Sequence, residues 1–115
     1  MDNARVTMRV RWRVSPTEAG RIASALQALM MQTREEPGCA GCSFTTEMGA
    51  LVVIDYVEQW EREADLRRQI RSERFATLAE LIERATESPN IEFALPGGSR
   101  SLDYAMEVRA RPYGV

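Results

Sequence analysis

The 115-residue chain contains no histidine and no lysine, and all 15 of its basic residues are arginine. Without lysine there is no Schiff-base nucleophile. Without histidine there is no imidazole general base, no Ser-His-Asp triad and no histidine metal ligand. Cysteine is scarce as well: Cys39 and Cys42 supply two of the four ligands that a structural zinc site needs. No apolar run approaches the ~20 residues that span a bilayer. The first residues lack the apolar core of a signal peptide. These absences lead us to expect a cytoplasmic protein with reduced thiols and no membrane association. A basic excess is also missing. The formal net charge is −2, which argues against a general nucleic-acid binder.

What is present suits a single domain over residues 1–115, with a core over about 5–95 and a tail over 96–115. Val6, Met8, Val10, Trp12 and Val14 alternate with Arg5, Thr7, Arg9, Arg11 and Arg13, the period-two pattern of a strand with one buried face. Ser15, Pro16 and Glu18 form a capping-box start. Ile22, Leu26, Leu29, Met30 and Thr33 then recur at helical spacing, predicting a helix over 16–34 that Pro37-Gly38 ends. Residues 40–47, anchored by Phe44, and residues 51–59 predict a hairpin turning at Met48-Gly49-Ala50. Leu66 and Ile70, then Phe75, Leu78, Leu81, Ile82 and Ala85, predict helices over 61–71 and 73–86, with a phase break at Ser72-Glu73. Residues 91–95 read as a fourth strand and 96–99 as a turn. The tail, 101–109, fits a short helix with Leu102, Ala105, Met106 and Arg109 at helical spacing, or a fifth strand through Leu102, Tyr104, Met106 and Val108; the helix is the better fit.

The order βαββαβ suits a ferredoxin-like α+β fold, with a four-stranded antiparallel sheet and helices on one face. Residues 51–57 are apolar toward both faces, so the second sheet face needs a cover, and the sheet of a second copy is the simplest one. Two motifs carry a resemblance: Glu36-Pro37-Gly38-Cys39 after the first helix and Tyr56-Val57-Glu58-Gln59-Trp60 closing the third strand. With Leu66, Gln69, Ser72 and Phe75 on the following helix, the chain resembles the antibiotic biosynthesis monooxygenase domain family over about 5–94. The resemblance implies a homodimeric α+β barrel. It also implies oxidation of a quinol or polycyclic aromatic phenol by molecular oxygen with no metal and no bound cofactor. Related barrels degrade heme or isomerise lactones, which leaves an isomerase or cyclase, or a ligand-binding dimer without catalysis, as alternatives. Gln69 stands where the family often has histidine, so an axial histidine ligand and a histidine proton shuttle do not carry over.

On these grounds Glu58 and Trp60 are the candidate catalytic residues, and Trp12, Tyr56, Arg67, Gln69 and Phe75 the candidate substrate-binding residues. Trp60 would be an aromatic wall for a flat substrate, or a core residue anchoring the next helix. Glu58 shares the apolar face with Tyr56 and Trp60. A carboxylate there needs partners or a raised pKa; it would accept a phenolic proton, cap backbone or pair with an arginine. Arg67 or Arg71 would stabilise the resulting anion. Trp12 would border one cavity with Tyr56 and Trp60 if the first and third strands are neighbours, or simply pack the core. Arg9, Arg11 and Arg13 would meet Asp55, Gln59, Glu47 or acids of a partner. Cys39 and Cys42, three apart on a strand, would point to opposite faces and behave as ordinary thiols unless Gly41 bends the chain. Met30, Met31 and Met106 would fill the core.

Overall fold

The computed structural model describes residues 5–110. The elements are β1 (Val6–Val14), α1 (Pro16–Arg34), β2 (Cys39–Glu47), β3 (Val52–Trp60), α2 (Glu63–Ile70), α3 (Glu73–Ile82), β4 (Asn90–Leu95), β5 (Gly98–Arg100) and α4 (Leu102–Ala110). They form one antiparallel sheet in the order β2-β3-β1-β4-β5. The fold is ferredoxin-like, with a fifth strand at the edge. Residues 96–99, read as a turn, hold both a two-residue turn and the start of β5, which pairs through Leu95 with Gly98. Three residues are too few to show a period, so the sequence could not announce this strand.

The alternation in β1 is realised throughout. Val6, Met8, Val10, Trp12 and Val14 are all 2% exposed or less. Across from them, Val52, Ile54, Tyr56, Glu58 and Trp60 face the same side from β3. Helix α1 covers this face with the five residues expected: Ile22, Leu26, Leu29, Met30 and Thr33. Leu66 and Ile70 of α2, Leu78 of α3 and Phe93 of β4 complete the layer. Burying each large apolar side chain contributes roughly 1.5–3 kcal/mol, so the strand period is the dominant organiser of the fold.

The caps differ from expectation at one helix. Ser15 is extended at the N-cap of α1, but its hydroxyl pairs with Thr17 Oγ1 at 3.0 Å and makes no side-chain cap bond. Pro16, with its fixed φ, carries that start. The break between α2 and α3 falls at Ser72, whose hydroxyl accepts from the Phe75 N–H and donates to the Gln69 carbonyl at 2.6 Å.

The tail is a helix, as favoured, but it turns a different face inward. Tyr104, Ala105 and Val108 are buried, while Leu102 is 47% and Met106 65% exposed. Tyr104 decides the orientation. Its ring packs on Phe93 at 5.1 Å between centroids, lies between the Arg67 and Arg100 guanidinium groups, and its hydroxyl donates to Glu63 at 2.7 Å. Met31 and Met106 are therefore surface residues, not core fillers.

The opposite sheet face mixes charged side chains with Val53 and Val57. Arg9 binds Asp55 through two hydrogen bonds at 3.1 and 3.0 Å, and Arg11 adds a third at 3.3 Å. Arg9 is the main reason the Asp55 carboxyl is held below its ordinary pKa. Arg13 pairs instead with Glu87 at 3.6 Å.

Gly38 sets the entry to β2. Its φ is +88°, and a Cβ there would collide with the carboxylate of Asp65, itself 3% exposed and paired with Arg62 and Arg68. Gly38→Ala therefore meets a left-handed backbone penalty of roughly 1–2 kcal/mol plus the collision. Urea unfolding should show a loss of at least about that size; an unchanged midpoint would contradict this packing of Gly38 on α2.

Candidate functional site

The covered face of the sheet holds two adjoining compartments. The first is polar and closed, centred on Glu58, which is 1% exposed. Along a strand, residues i±2 share a face, so Tyr56 and Trp60 flank it. The Tyr56 hydroxyl donates to Oε2 at 2.6 Å and the Trp60 indole N–H to Oε1 at 3.0 Å. Gln69, from α2, donates its amide N–H to Oε2 at 3.3 Å. The amide orientation follows from chemistry. Arg74 has donors only, so it must meet Gln69 Oε1, which it does at 2.9 Å. This leaves the Gln69 N–H₂ for Glu58 and for Thr33 Oγ1, at 3.3 Å. Arg74 is in turn held by Glu36 at 3.1 Å.

Burial raises the Glu58 pKa from its ordinary carboxylate value, against the opposing pull of the Tyr56, Trp60 and Gln69 hydrogen bonds and of Arg74. Desolvation disfavours the charge more than the donors favour it. Tyr56 is pushed upward too, first by burial and then by the neighbouring Glu58 charge.

The cysteines join this compartment in a way the residue spacing did not suggest. Cys39 lies opposite Trp60 and Cys42 opposite Glu58, because a bulge between Cys39 and Gly41 leaves Ala40 unpaired. Opposed residues share a face, so both thiols point inward, not to opposite sides. The Cys42 thiol donates to the Tyr56 hydroxyl at 3.3 Å. Burial pushes Cys42 up to about 12 and raises Cys39 as well. Both are free thiols, and neither has thiolate character to make it reactive.

The second compartment is an apolar cleft of about 340 Å³ beneath α3. Met8 and Val10 of β1 and Ile91 of β4 form its floor; Phe75, Ala79 and Ile82 form its roof; Leu102 closes one side. Glu83 and Glu87 stand at the mouth. Met8 lies directly across from Glu58 and Val10 across from Tyr56. The side chains of β1 thus divide cleft from carboxylate.

The candidate residues separate accordingly. Glu58, Tyr56, Trp60 and Gln69 are together in the closed compartment, and Phe75 lines the cleft. Trp12 is with neither group. It lies opposite Ile54, whereas Trp60 lies opposite Val6. Six residues of strand set the two backbone positions about 20 Å apart, at opposite ends of the β1–β3 pair, which does not favour their bordering one cavity. The Trp12 N–H is buried and has no hydrogen-bond partner among the described residues. Arg67 turns away from Glu58, pairing with Glu63 at 3.4 Å and stacking on Tyr104. Sequence reasoning overlooked Arg74 and Thr33 as polar partners and Met8 as the divider. Thr33 carried the clearest signal, as a polar residue on the apolar face of α1. Among the described residues, no group of three His, Cys, Asp or Glu side chains is placed to hold a metal ion, and no helix is long and apolar enough to cross a membrane.

The raised Glu58 pKa has a signed consequence. The folded chain holds the Glu58 proton more tightly than the unfolded chain. This stabilisation is fully present below the unfolded-state pKa and is lost as pH rises through the raised folded-state value. Urea unfolding across pH should show wild-type stability falling with rising pH over that window relative to Glu58→Gln. Parallel profiles would show that burial does not control this carboxyl.

No protein-family model matches the sequence, and no curated protein matches it. The fold, however, recurs among solved structures. A conserved protein from Methanosarcina mazei Go1 superposes with a TM-score of 0.71 at 20% identity, covering 81% of this chain and 93% of that one. A Nitrosomonas europaea protein provisionally named an antibiotic biosynthesis monooxygenase gives 0.69 at 12% identity, covering 81% and 90%. A structure named as antibiotic biosynthesis monooxygenase gives 0.63 at 19% identity, covering 76% and 94%. The chain therefore has the fold found in structures bearing the antibiotic biosynthesis monooxygenase name, as the motifs around Pro37-Gly38 and Glu58-Gln59-Trp60 led us to expect.

Proposed function

We propose that this chain binds a small aromatic molecule in the cleft beneath α3. The observation that supports this most is the cleft itself: about 340 Å³ of space with apolar walls contributed by strands, α3 and α4, and polar side chains only at the mouth. Ligand sites commonly run from about 300 to 1,000 Å³. A cleft at the small end of that range suits one or two fused rings better than a long polycycle.

Oxygenase chemistry on a quinol or phenol is the second reading. It is supported by the raised pKa of Glu58, which makes its carboxylate a stronger proton acceptor, and by its position one strand behind the cleft wall. The substrate hydroxyl would give its proton to Glu58. The electron-rich anion would then reduce O₂, with one oxygen atom retained on the ring carbon and the other leaving as water. Against this, three protein donors already occupy the carboxylate, and Met8 stands between it and the cleft. Binding without turnover is therefore the better-supported reading.

Melting temperature and dissolved oxygen, followed together during titration with indole, 2-naphthol and hydroquinone, separate the two. Saturating ligand should raise the melting temperature by several degrees. Ala79→Phe, which fills the cleft, should abolish the shift. Oxygen uptake should match a Glu58→Gln control. Uptake clearly above that control would establish the oxygenase; no shift with any aromatic would contradict the cleft as a site.

We also infer a homodimer through the uncovered sheet face. Val53 and Val57 are half-buried there beside the Arg9-Asp55-Arg11 cluster, with no layer among the described residues above them. Light scattering after size exclusion should give twice the 13.0 kDa chain mass. A clean monomer at micromolar concentration would contradict the paired sheets.

A further inference from the structure

We infer that the cleft selects ligands by charge and takes an aromatic or alicyclic body bearing a protonated amine. This rests on the cleft being a binding site and adds which chemical class it accepts. The donor inventory of the lining supports this. The lining side chains include no hydrogen-bond donor: the walls are apolar, and the only polar groups are the carboxylates of Glu83 and Glu87. Ionised carboxylates accept only. Pro89, also at the lining, has no backbone N–H to offer. An anionic ligand therefore meets no side-chain donor and two like charges. A neutral acceptor, such as a ketone or ether, loses its water without a side-chain replacement. An ammonium placed at the mouth gains charge-assisted hydrogen bonds while its ring replaces water on the apolar floor.

Arg13 and Arg109, which touch lining side chains, do not cancel this field. Arg13 pairs with Glu87 at 3.6 Å, but both side chains are about half exposed, at 48% and 58%, and such pairs yield readily to a competitor. Arg109 approaches the Phe75 ring at 6.0 Å, and its Nη1 donates to the Ile70 carbonyl at 2.6 Å, so it is engaged with α2 and does not line the cleft. Glu83 is exposed and forms no ion pair among the described residues, which makes it the more available acceptor.

Three probes of one shape give the test: tryptamine as cation, 3-ethylindole as neutral and indole-3-propionate as anion. Each is titrated calorimetrically near neutral pH at low and at physiological salt. Tryptamine should bind at least about fivefold more tightly than 3-ethylindole at low salt, an advantage that shrinks as salt screens the mouth. Indole-3-propionate should bind most weakly. Glu83→Gln with Glu87→Gln, two exposed positions, should bring tryptamine down to the affinity of 3-ethylindole and leave 3-ethylindole unchanged. Equal binding of the cation and the neutral probe, or a preference surviving the double substitution, would overturn charge selection while leaving the cleft as a site. Binding of all three probes untouched by Ala79→Phe, or no binding at all, would overturn the cleft itself.

Discussion

A carboxylate with 1% exposure is expensive to keep in a protein interior, and much of this structure depends on how Glu58 is accommodated. Three donors converge on it, and two of them tie β3 to something else. Tyr56 brings in Cys42 from β2. Gln69 brings in Thr33 from α1 and Arg74 from α3, and Arg74 engages Glu36 beyond α1. A hydrogen bond to a charged group contributes roughly 1.5–3 kcal/mol, and removing one partner exposes the desolvation of the other. The network therefore acts as a registration device: β2, β3 and the three helices packed on them satisfy the carboxylate together in one arrangement. Gln69, which departs from the histidine the resemblance would supply, has a definite role in it, because its amide can face a carboxylate and an arginine at once.

The same placement shapes the chemistry. Met8 and Val10 project between Glu58 and the cleft, so one covered sheet face carries a satisfied polar core on the β3 side and an unfilled apolar space on the β4 side. On the proposed reading, a buried acid screened from the open space suits recognition of a ligand better than its transformation. On the charge-selection proposal, the rim of the cleft, with carboxylates and no side-chain donors, would add selectivity without any contribution from the buried network.

Much of the fold could be read from residue order because its strongest signals are local. The alternation of β1 and the spacing of Ile22, Leu26, Leu29, Met30 and Thr33 each report a buried face within one element. The closed compartment was partly legible for the same reason: Tyr56, Glu58 and Trp60 share a face by strand geometry alone. What stayed hidden depends on partners distant in the chain. The bulge at Ala40 changes the face of Cys39, and only pairing with β3 reveals it. Trp12 and Trp60 fall on the same sheet face, but their separation is set by the β1–β3 register. The inward face of α4 follows from Tyr104 finding Phe93, Glu63 and two arginines, a choice that the spacing of Leu102 and Met106 could not foretell. Arg67 and Arg74 are seven residues apart on adjacent helices; which of them reaches the polar core depends on the break at Ser72.

The claim on which the rest turns is that Glu58 sits in a desolvated cage that raises its pKa. Carbon-13 NMR of glutamate-labelled protein reads this directly, with Glu58→Gln assigning the carboxyl resonance. The Glu58 titration midpoint should lie clearly above the ordinary glutamate range. A midpoint within or below that range would contradict the claim.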